Sequence, residues 1–131
     1  MSLYFNVVPK VNPRRPRSGE RKYYAVLKSL GMVDEVEVAR QLSEVTMRTP
    51  QEAEYAIHQF EKILLCNLLN GHTVKLGELG SFSLTINSHG CDSAEEVTAD
   101  CIKNVNLNFR PSEKVKQAVN NVDFYSSCDD G

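Results

Sequence analysis

Apolar side chains recur at helical spacing in the first half of the chain. Val36, Ala39 and Leu42 belong to one series, and Asp34 and Glu35 stand at its start, where acidic side chains favour a helix N-terminus. This pattern predicts a first amphipathic helix that begins near Val36.

A second helical series is marked at both ends. It follows Thr49-Pro50-Gln51-Glu52, which is typical of a capping box with proline at the first helical position. Its apolar face comprises Ala53, Ala56, Ile57, Phe60, Ile63, Leu64 and Leu68. Asn70-Gly71 is predicted to end the helix, with Gly71 as the left-handed residue. Leu65 and Leu69 widen this face, which predicts that a partner subunit covers the surplus.

Beyond this helix, apolar and polar residues alternate, as in strands with one buried face. Strands are predicted over residues 73–76, 81–86 and 104–109. The positions predicted to face inward are Phe82, Leu84, Ile86, Val105, Leu107 and Phe109. The intervening residues 87–104 form a polar excursion that is too long for a tight hairpin turn.

The two ends of the chain contain shorter patterns. Residues 3–8 and 23–27 are candidate strands. Arg110-Pro111-Ser112 closes the sheet and caps a last helix, whose apolar face is Val115, Ala118, Val119 and Val122. The polar residues 126–131 are expected to fray. The predicted fold class is therefore α+β: two N-terminal helices, an antiparallel sheet with an arm-like excursion, and a short C-terminal helix.

The composition is that of a globular protein. The 131 residues include 41% hydrophobic and 24% charged residues, a length that suits one domain with a core of its own. Apolar runs are far shorter than the ~20 residues that span a bilayer. The first ten residues lack the order of a secretory signal. We therefore expect a cytoplasmic protein with no membrane partner.

The charge is distributed unevenly. The net charge is −2, yet residues 1–28 contain seven bases and one acid, for +6, while the remainder contains eight bases and 16 acids, for −8. The densest basic stretch, residues 12–22, is rich in turn formers and is predicted to be an exposed loop or arm. Two interpretations stay open: the arm binds phosphates, or it is a solvated loop that aids solubility or pairs with the acidic body.

Cysteine and histidine give no sign of a cofactor or catalytic site. The four cysteines contain no CxxC pair, so free thiols are expected, and Cys66 is predicted to lie in the core. The spacing of His89, Cys91 and Cys101 fits no standard zinc finger, so no metal site is predicted. The histidines lack a nucleophile motif nearby, so we predict neither catalysis nor a small-molecule substrate.

Two motifs resemble the bacterial histone-like DNA-binding proteins, the HU and integration-host-factor family. Residues 71–82 (GHTVKLGELGSF) are similar to the family's helix end, first strand and Gly-x-Phe-Gly-x-Phe hairpin, with Leu79 in place of the usual aromatic residue. Residues 108–112 (NFRPS) are similar to its Phe-Lys-Pro-Gly junction. The resemblance covers residues 34 to about 121, and the basic leader before it resembles that of a longer HU-related branch common in Bacteroides-type bacteria.

The resemblance implies an intertwined homodimer whose two β-arms wrap the minor groove of DNA. The matching arm, residues 87–104, contains no proline to wedge between bases. It contains one base, Lys103, against four acids, for a net charge of −3 that repels phosphates. The residues of this segment therefore give no support for an arm-based bending mechanism in this chain.

The residues that remain for DNA contact lie in the leader and the body. Arg110 matches the basic residue of the Phe-Lys-Pro-Gly motif, Lys116 matches a basic helix position after it, and Lys114 lies beside Glu113, where a base is usual. The candidate DNA-binding residues are Arg14, Arg15, Arg17, Arg21, Lys22, Lys75, Lys103, Arg110, Lys114 and Lys116. The alternative for Lys75 and Lys116 is that they lie on an exposed face of a strand or helix and do not contact DNA.

These observations predict a non-catalytic, largely sequence-independent protein that binds double-stranded DNA and has an architectural role in the nucleoid. The alternative is an HU-like assembly module that has lost DNA binding. The expected organisation is a basic extension over residues 1–33, an HU-like domain over residues 34–125 and a polar tail over residues 126–131.

Overall fold

The structure is a computed structural model, and it describes residues 1–11, 14, 17, 19 and 21–127. The strands are β1 (Ser2–Val11), β2 (Arg21–Leu27), β3 (Val74–Leu76), β4 (Gly80–Ser88), β5 (Ile102–Pro111) and β6 (Asp123–Ser126). The helices are α1 (Glu35–Thr46), α2 (Pro50–Leu69) and α3 (Glu113–Asn120). The chain forms two compact units, one with Met1–Met32 and Ala118–Gly131 and the other with Val33–Gln117.

The first unit is built on a three-stranded sheet in the order β2-β1-β6. β1 pairs antiparallel with β2 and parallel with β6, where Tyr4 is opposite Tyr125. The predicted strands at residues 3–8 and 23–27 are confirmed, but β6 was not predicted. The prediction that the tail frays from Ser126 onward is wrong for Ser126, which belongs to β6. Residues 128–131 lie outside the described residues. The division at residues 33 and 125 stays a prediction.

In the second unit, local hydrogen bonds define the helix ends. Glu37 N donates to Asp34 Oδ1 at 3.0 Å, and Glu52 N donates to Thr49 Oγ1 at 3.1 Å. The predicted N-cap Thr49 is therefore confirmed, and Asp34 caps α1 in the same way. At the end of α2, His72 N donates to Asn67 O while Gly71 adopts a φ of 88°. This is the arrangement of a Schellman motif, and it confirms the predicted stop.

The second sheet is antiparallel, in the order β3-β4-β5. β3 covers only the start of β4, from Gly80 to Phe82, so beyond this point β4 and β5 pair with each other as a two-stranded ribbon. The ribbon extends to Ser88 and Ile102, which shortens the predicted excursion to residues 89–101. Two 3-10 turns, Ala94–Glu96 and Ala99–Cys101, lie in this tip.

The core is much smaller than the composition suggests. Among the described residues, only Ala39, Ser43, Ala53, Leu68 and Gly80 are buried. Alternation does place Phe82, Leu84 and Ile86 opposite Phe109, Leu107 and Val105 on one face of the ribbon, as predicted. Val105 and Leu107, which were predicted to face inward, are 60% and 63% exposed, so the single chain does not cover this part of the face.

The second helix shows the same openness. Ile63 and Leu69 are 59% and 70% exposed, and Cys66, predicted to lie in the core, is exposed as well. Ala53 and Leu68, the two buried positions of α2, occupy only part of its apolar face, so the rest of that face stays open in the single chain. Among the helices of the described residues, none is both long and apolar enough to cross a membrane.

Candidate nucleic-acid interface

One face of the β3-β4-β5 sheet is polar. The register aligns Lys75, Ser81 and Arg110 in one row across the three strands. Because side chains alternate along a strand, this row points away from the neighbouring apolar row of Val74, Phe82 and Phe109. The rings of Phe82 and Phe109 lie 4.9 Å apart, centroid to centroid, on that opposite face. The sheet therefore separates an apolar side from a side that displays two cationic residues.

An open groove of about 690 Å³ lies against the polar face. It is lined by Thr73, Ser81, Ser83, Thr85, Asn108, Phe109, Arg110, Pro111 and Lys116. Asn108 Nδ2 donates to Thr85 Oγ1 at 2.8 Å, which fixes the orientation of the amide. Hydroxyl, amide and guanidinium groups in one groove provide the donors that contact phosphate and sugar oxygens in DNA complexes.

The cations of this unit differ in whether they have an acidic partner. Within the described part of the chain, Lys75 and Arg110 form no ion pair within 4.0 Å. Arg40 on α1, by contrast, lies 2.7 Å from Glu37 and 2.6 Å from Glu44. Hydrogen bonds from Arg40 lower the pKa of Glu37 to about 2, so this partner stays ionised. Lys75 and Arg110 are therefore available to a polyanion on the polar face of the sheet.

The two predicted lysines of α3 have acidic neighbours. Lys116 Nζ lies 3.7 Å from Glu113 Oε1, and Lys114 Nζ lies 2.7 Å from Glu78 Oε2. Both pairs are solvent-exposed, and such pairs are worth about 0–1 kcal/mol, so a phosphate can replace the carboxylate. Only Lys116 lines the groove. The structure thus brings Lys116 together with Arg110, while Lys114 is held by Glu78.

The helix that contains these lysines is anchored at its start. Ser112 Oγ accepts a hydrogen bond from Val115 N at 3.2 Å and donates to the Glu78 carbonyl. Ser112 N also donates to Leu79 O. The predicted cap at Ser112 is therefore present, and it ties the start of α3 to the turn before β4.

Lys103 is separate from this group. It lies near the tip of the ribbon, beside the register shift between Asn87 and Ser88, whereas Arg110 lies at the other end of β5. The acids of the tip, Asp92, Glu95, Glu96 and Asp100, are exposed. Lys103 does not line the groove. The charged residues that precede it in the tip are all acidic.

The basic residues of the leader belong to the other unit. Arg21 and Lys22 were predicted in a loop, but they are the first residues of β2, where Lys22 pairs with Lys10. This pairing orders part of the stretch because β1 supplies its hydrogen-bonding partner. Arg14 and Arg17 lie at exposed turn positions between the strands, and Arg15 lies outside the described residues. Lys10 Nζ also lies 5.7 Å from the centroid of the Tyr24 ring.

Sequence reasoning missed the neutral donors of the groove. Ser81, Ser83 and Thr85 are the polar members of the alternation that was used only to identify the apolar face. Asn108 occupies the equivalent place on β5. The signal was therefore present in the sequence, since the period of two that buries one set of residues presents the other set together.

One group of residues has the spacing of metal ligands. Within the described residues, ligand atoms of Glu35, His58 and Glu61 lie within 4.8 Å of one another. His58 Nδ1 is 3.6 Å from Glu35 and 3.9 Å from Glu61, and His58 Nε2 is 3.8 Å from Glu54. The contacts of His58 with Glu54 and Glu61 lie within α2, and only the contact with Glu35 joins α2 to α1. The absence of a metal site stays a prediction.

The fold and the polar face define the class of this protein. A mixed α+β body, with two capped helices before an antiparallel sheet and a short helix after it, is the HU-like arrangement that the two motifs indicated. The sequence matches a family described as HU domains fused to winged helix-turn-helix, Ig or glycine-rich motifs, over residues 1–126. The chain belongs to this HU-HIG family, and the match includes the basic leader.

A solved structure supports the fold. The chain is similar to a protein from Bacteroides vulgatus ATCC 8482 that is described as a putative bacterial DNA-binding protein. The TM-score is 0.61 and the sequence identity is 10%. The similarity covers 95% of this chain and 48% of that protein, so the chain spans about half its length. At this identity the similarity concerns the fold alone. No curated protein matches the sequence.

Proposed function

We propose that this chain binds double-stranded DNA as a non-catalytic, largely sequence-independent architectural protein of the nucleoid. The observation that supports this most directly is the polar sheet face, where Lys75 and Arg110 have no acidic partner and neutral donors lie beside them. Membership of the HU-HIG family supports the same function.

The mechanism follows from the donors available. Lys75, Arg110 and Lys116 neutralise phosphates and release condensed counterions, which supplies affinity that does not depend on sequence. Serine, threonine and asparagine side chains of the groove donate to phosphate or sugar oxygens and fix the position of the duplex. Contacts of this kind do not distinguish bases, so the chain tolerates many sequences.

The basic end of the β1–β2 hairpin is the second proposed contact. Arg14, Arg17, Arg21 and Lys22 are exposed and lie at or between the paired strands. Lys10 opposite Lys22 adds a like charge across the strands, an arrangement that is unfavourable by itself and that an anion relieves. Lys103 and Lys114 stay weaker candidates, since one lies beside acids and the other pairs with Glu78.

A homodimer is part of this proposal. The ribbon presents an apolar face, and α2 presents another, and both are open in the single chain. Exposed apolar faces of this extent mark interaction surfaces. A second copy supplies the complementary surface, because an interface between identical chains uses the same patch on both.

The test is duplex binding by fluorescence anisotropy across a salt series, with a mixed-sequence DNA. Arg110→Gln is expected to weaken binding and to reduce the slope of log K against log salt by about 0.9 per chain, the value for one lost phosphate contact. Lys62→Gln on the exposed surface of α2 is the matched control, since it removes one charge away from the polar face. Its slope should equal that of the wild type.

The leader is tested by substitution. Deleting residues 1–22 would remove β1, the central strand of its sheet. A variant with Arg14, Arg17, Arg21 and Lys22 changed to glutamine keeps the strands. Its slope of log K against log salt should also be smaller than that of the wild type. If it binds like the wild type, the leader makes no contact. Failure of the wild type to bind any duplex at moderate salt would favour the assembly module.

A further inference from the structure

The tip of the β4–β5 ribbon contains two cysteines that meet in space. Cys91 Sγ and Cys101 Sγ lie 3.4 Å apart, and both residues are half-buried. His89 N donates to Cys101 O at 2.8 Å directly after the last ribbon pair, Ser88 with Ile102. The end of the ribbon therefore holds both ends of the tip together, and the thiols face each other because of it.

The separation is close to that of a covalent bond. Sulfur atoms of a disulfide lie about 2.05 Å apart, so the two thiols need to approach by about 1.4 Å. The residues between them, 92–100, are all exposed, and this stretch contains two short 3-10 turns. Such a segment adjusts without disturbing buried packing, because little is packed against it.

We propose that Cys91 and Cys101 are a reversible dithiol–disulfide pair that closes the tip of the ribbon. The oxidant is a low-molecular-weight disulfide. The Cys101 thiolate attacks one of its sulfurs, which forms a mixed disulfide at Cys101 and releases one small thiol. Cys91 then loses its proton and attacks Cys101 Sγ, which forms the Cys91–Cys101 bond and releases the second small thiol. Two protein thiols are oxidised and one small disulfide is reduced to two thiols.

The surroundings of the two sulfurs favour this order of attack. Backbone hydrogen bonding at Thr98, with the Cys91 thiol, lowers the pKa of Cys101. The hydrogen bond to Cys101 raises the pKa of Cys91. Cys101 therefore has the larger thiolate fraction near neutral pH, and the thiolate is the nucleophile in exchange.

Oxidation changes a defined part of the molecule. The disulfide would close a loop that contains Asp92, Glu95, Glu96 and Asp100, and it would restrict the motion of this acidic segment. A disulfide that forms and breaks under cellular conditions is regulatory rather than structural in a reducing compartment. This redox change is confined to the tip and does not depend on DNA binding.

The test uses the full chain with Cys66→Ser and Cys128→Ser, so that only the pair remains. After equilibration with glutathione disulfide, neither cysteine should react with an alkylating reagent. Reduction with dithiothreitol should make both reactive again. Peptide mass spectrometry should locate the bond between Cys91 and Cys101 within one chain. Two alkylatable thiols after oxidation, or a bond that joins two chains, would overturn the proposal.

Single variants test the order of attack in the same background. With Cys91→Ser, Cys101 should form a stable mixed disulfide with glutathione. With Cys101→Ser, Cys91 should do so more slowly at neutral pH. Equal rates, or faster reaction at Cys91, would contradict the assigned order.

Discussion

Gly80 is the residue whose identity its surroundings restrict most. Its φ is 148°, and a Cβ built at this position would lie 2.3 Å from Arg110 O and 2.9 Å from Phe109 Cε2. The close approach of β4 to β5 at this point therefore requires glycine. Because Gly80 pairs with Pro111, it also determines how closely the Arg110 end of β5 lies against the start of β4.

Gly80→Ala should destabilise the protein by about 1–3 kcal/mol from backbone strain, with the steric contact adding to this. Urea unfolding at one fixed protein concentration measures the change. Gly90→Ala is the matched control, since a Cβ there meets nothing within 4 Å, and it should change stability by less than about 0.5 kcal/mol. Equal stability of the two variants would contradict the tight approach.

The residues of the candidate site were only partly predictable. Arg110 and Lys116 were identified through motif positions, and Lys75 through its strand. Lys114 has the same charge, yet its pairing with Glu78 depends on a turn 36 positions away that no local pattern reveals. Charge is visible in a sequence, whereas the presence of an acidic partner depends on the folded chain.

At the scale of elements, the helix ends are the most predictable features because their signals are local. Thr49 and Gly71 bracket α2 within a few residues of the hydrogen bonds they make. β6 was missed because its partner, β1, lies at the other end of the chain. Strand formation depends on such pairing more than on intrinsic preference.

Thr49→Ala should cost about 1 kcal/mol of stability, because the Glu52 N–H loses its acceptor at the start of α2. Thermal unfolding at fixed concentration measures this. Thr46→Ala is the matched control: its hydroxyl bonds the Leu42 carbonyl one turn back, and alanine has the higher helix propensity. A loss at Thr46 equal to that at Thr49 would argue against the cap.

At the scale of the whole molecule, the exposed apolar faces dominate. Only five of the described residues are buried, although a chain of this size is expected to bury about two-thirds of its unfolded surface. The pattern of alternation gave the correct faces but not what covers them. A second subunit is the physical explanation that we propose, and it makes stability depend on protein concentration.

Leu107→Asp should shift the chain from dimer to monomer or unfold it, because a carboxylate in a dry apolar interface loses its hydration. Light scattering gives the mass, and circular dichroism separates monomer from unfolded chain. Asn106→Asp is the matched control, since it adds the same charge to the opposite face of β5. A monomeric wild type, or a dimer that tolerates Leu107→Asp, would contradict the proposed interface.

The most direct test of the proposed function is the salt dependence of duplex binding by the wild-type chain. Lys75, Arg110 and Lys116 alone predict a slope of log K against log salt of about −2.7 per chain, or about −5.4 for a homodimer that uses both copies, and leader contacts make it steeper. Unrelated duplex sequences should give similar affinities at each salt concentration. A slope near zero, or no binding at low salt, would contradict the proposal that this chain binds DNA through contacts with the DNA phosphates.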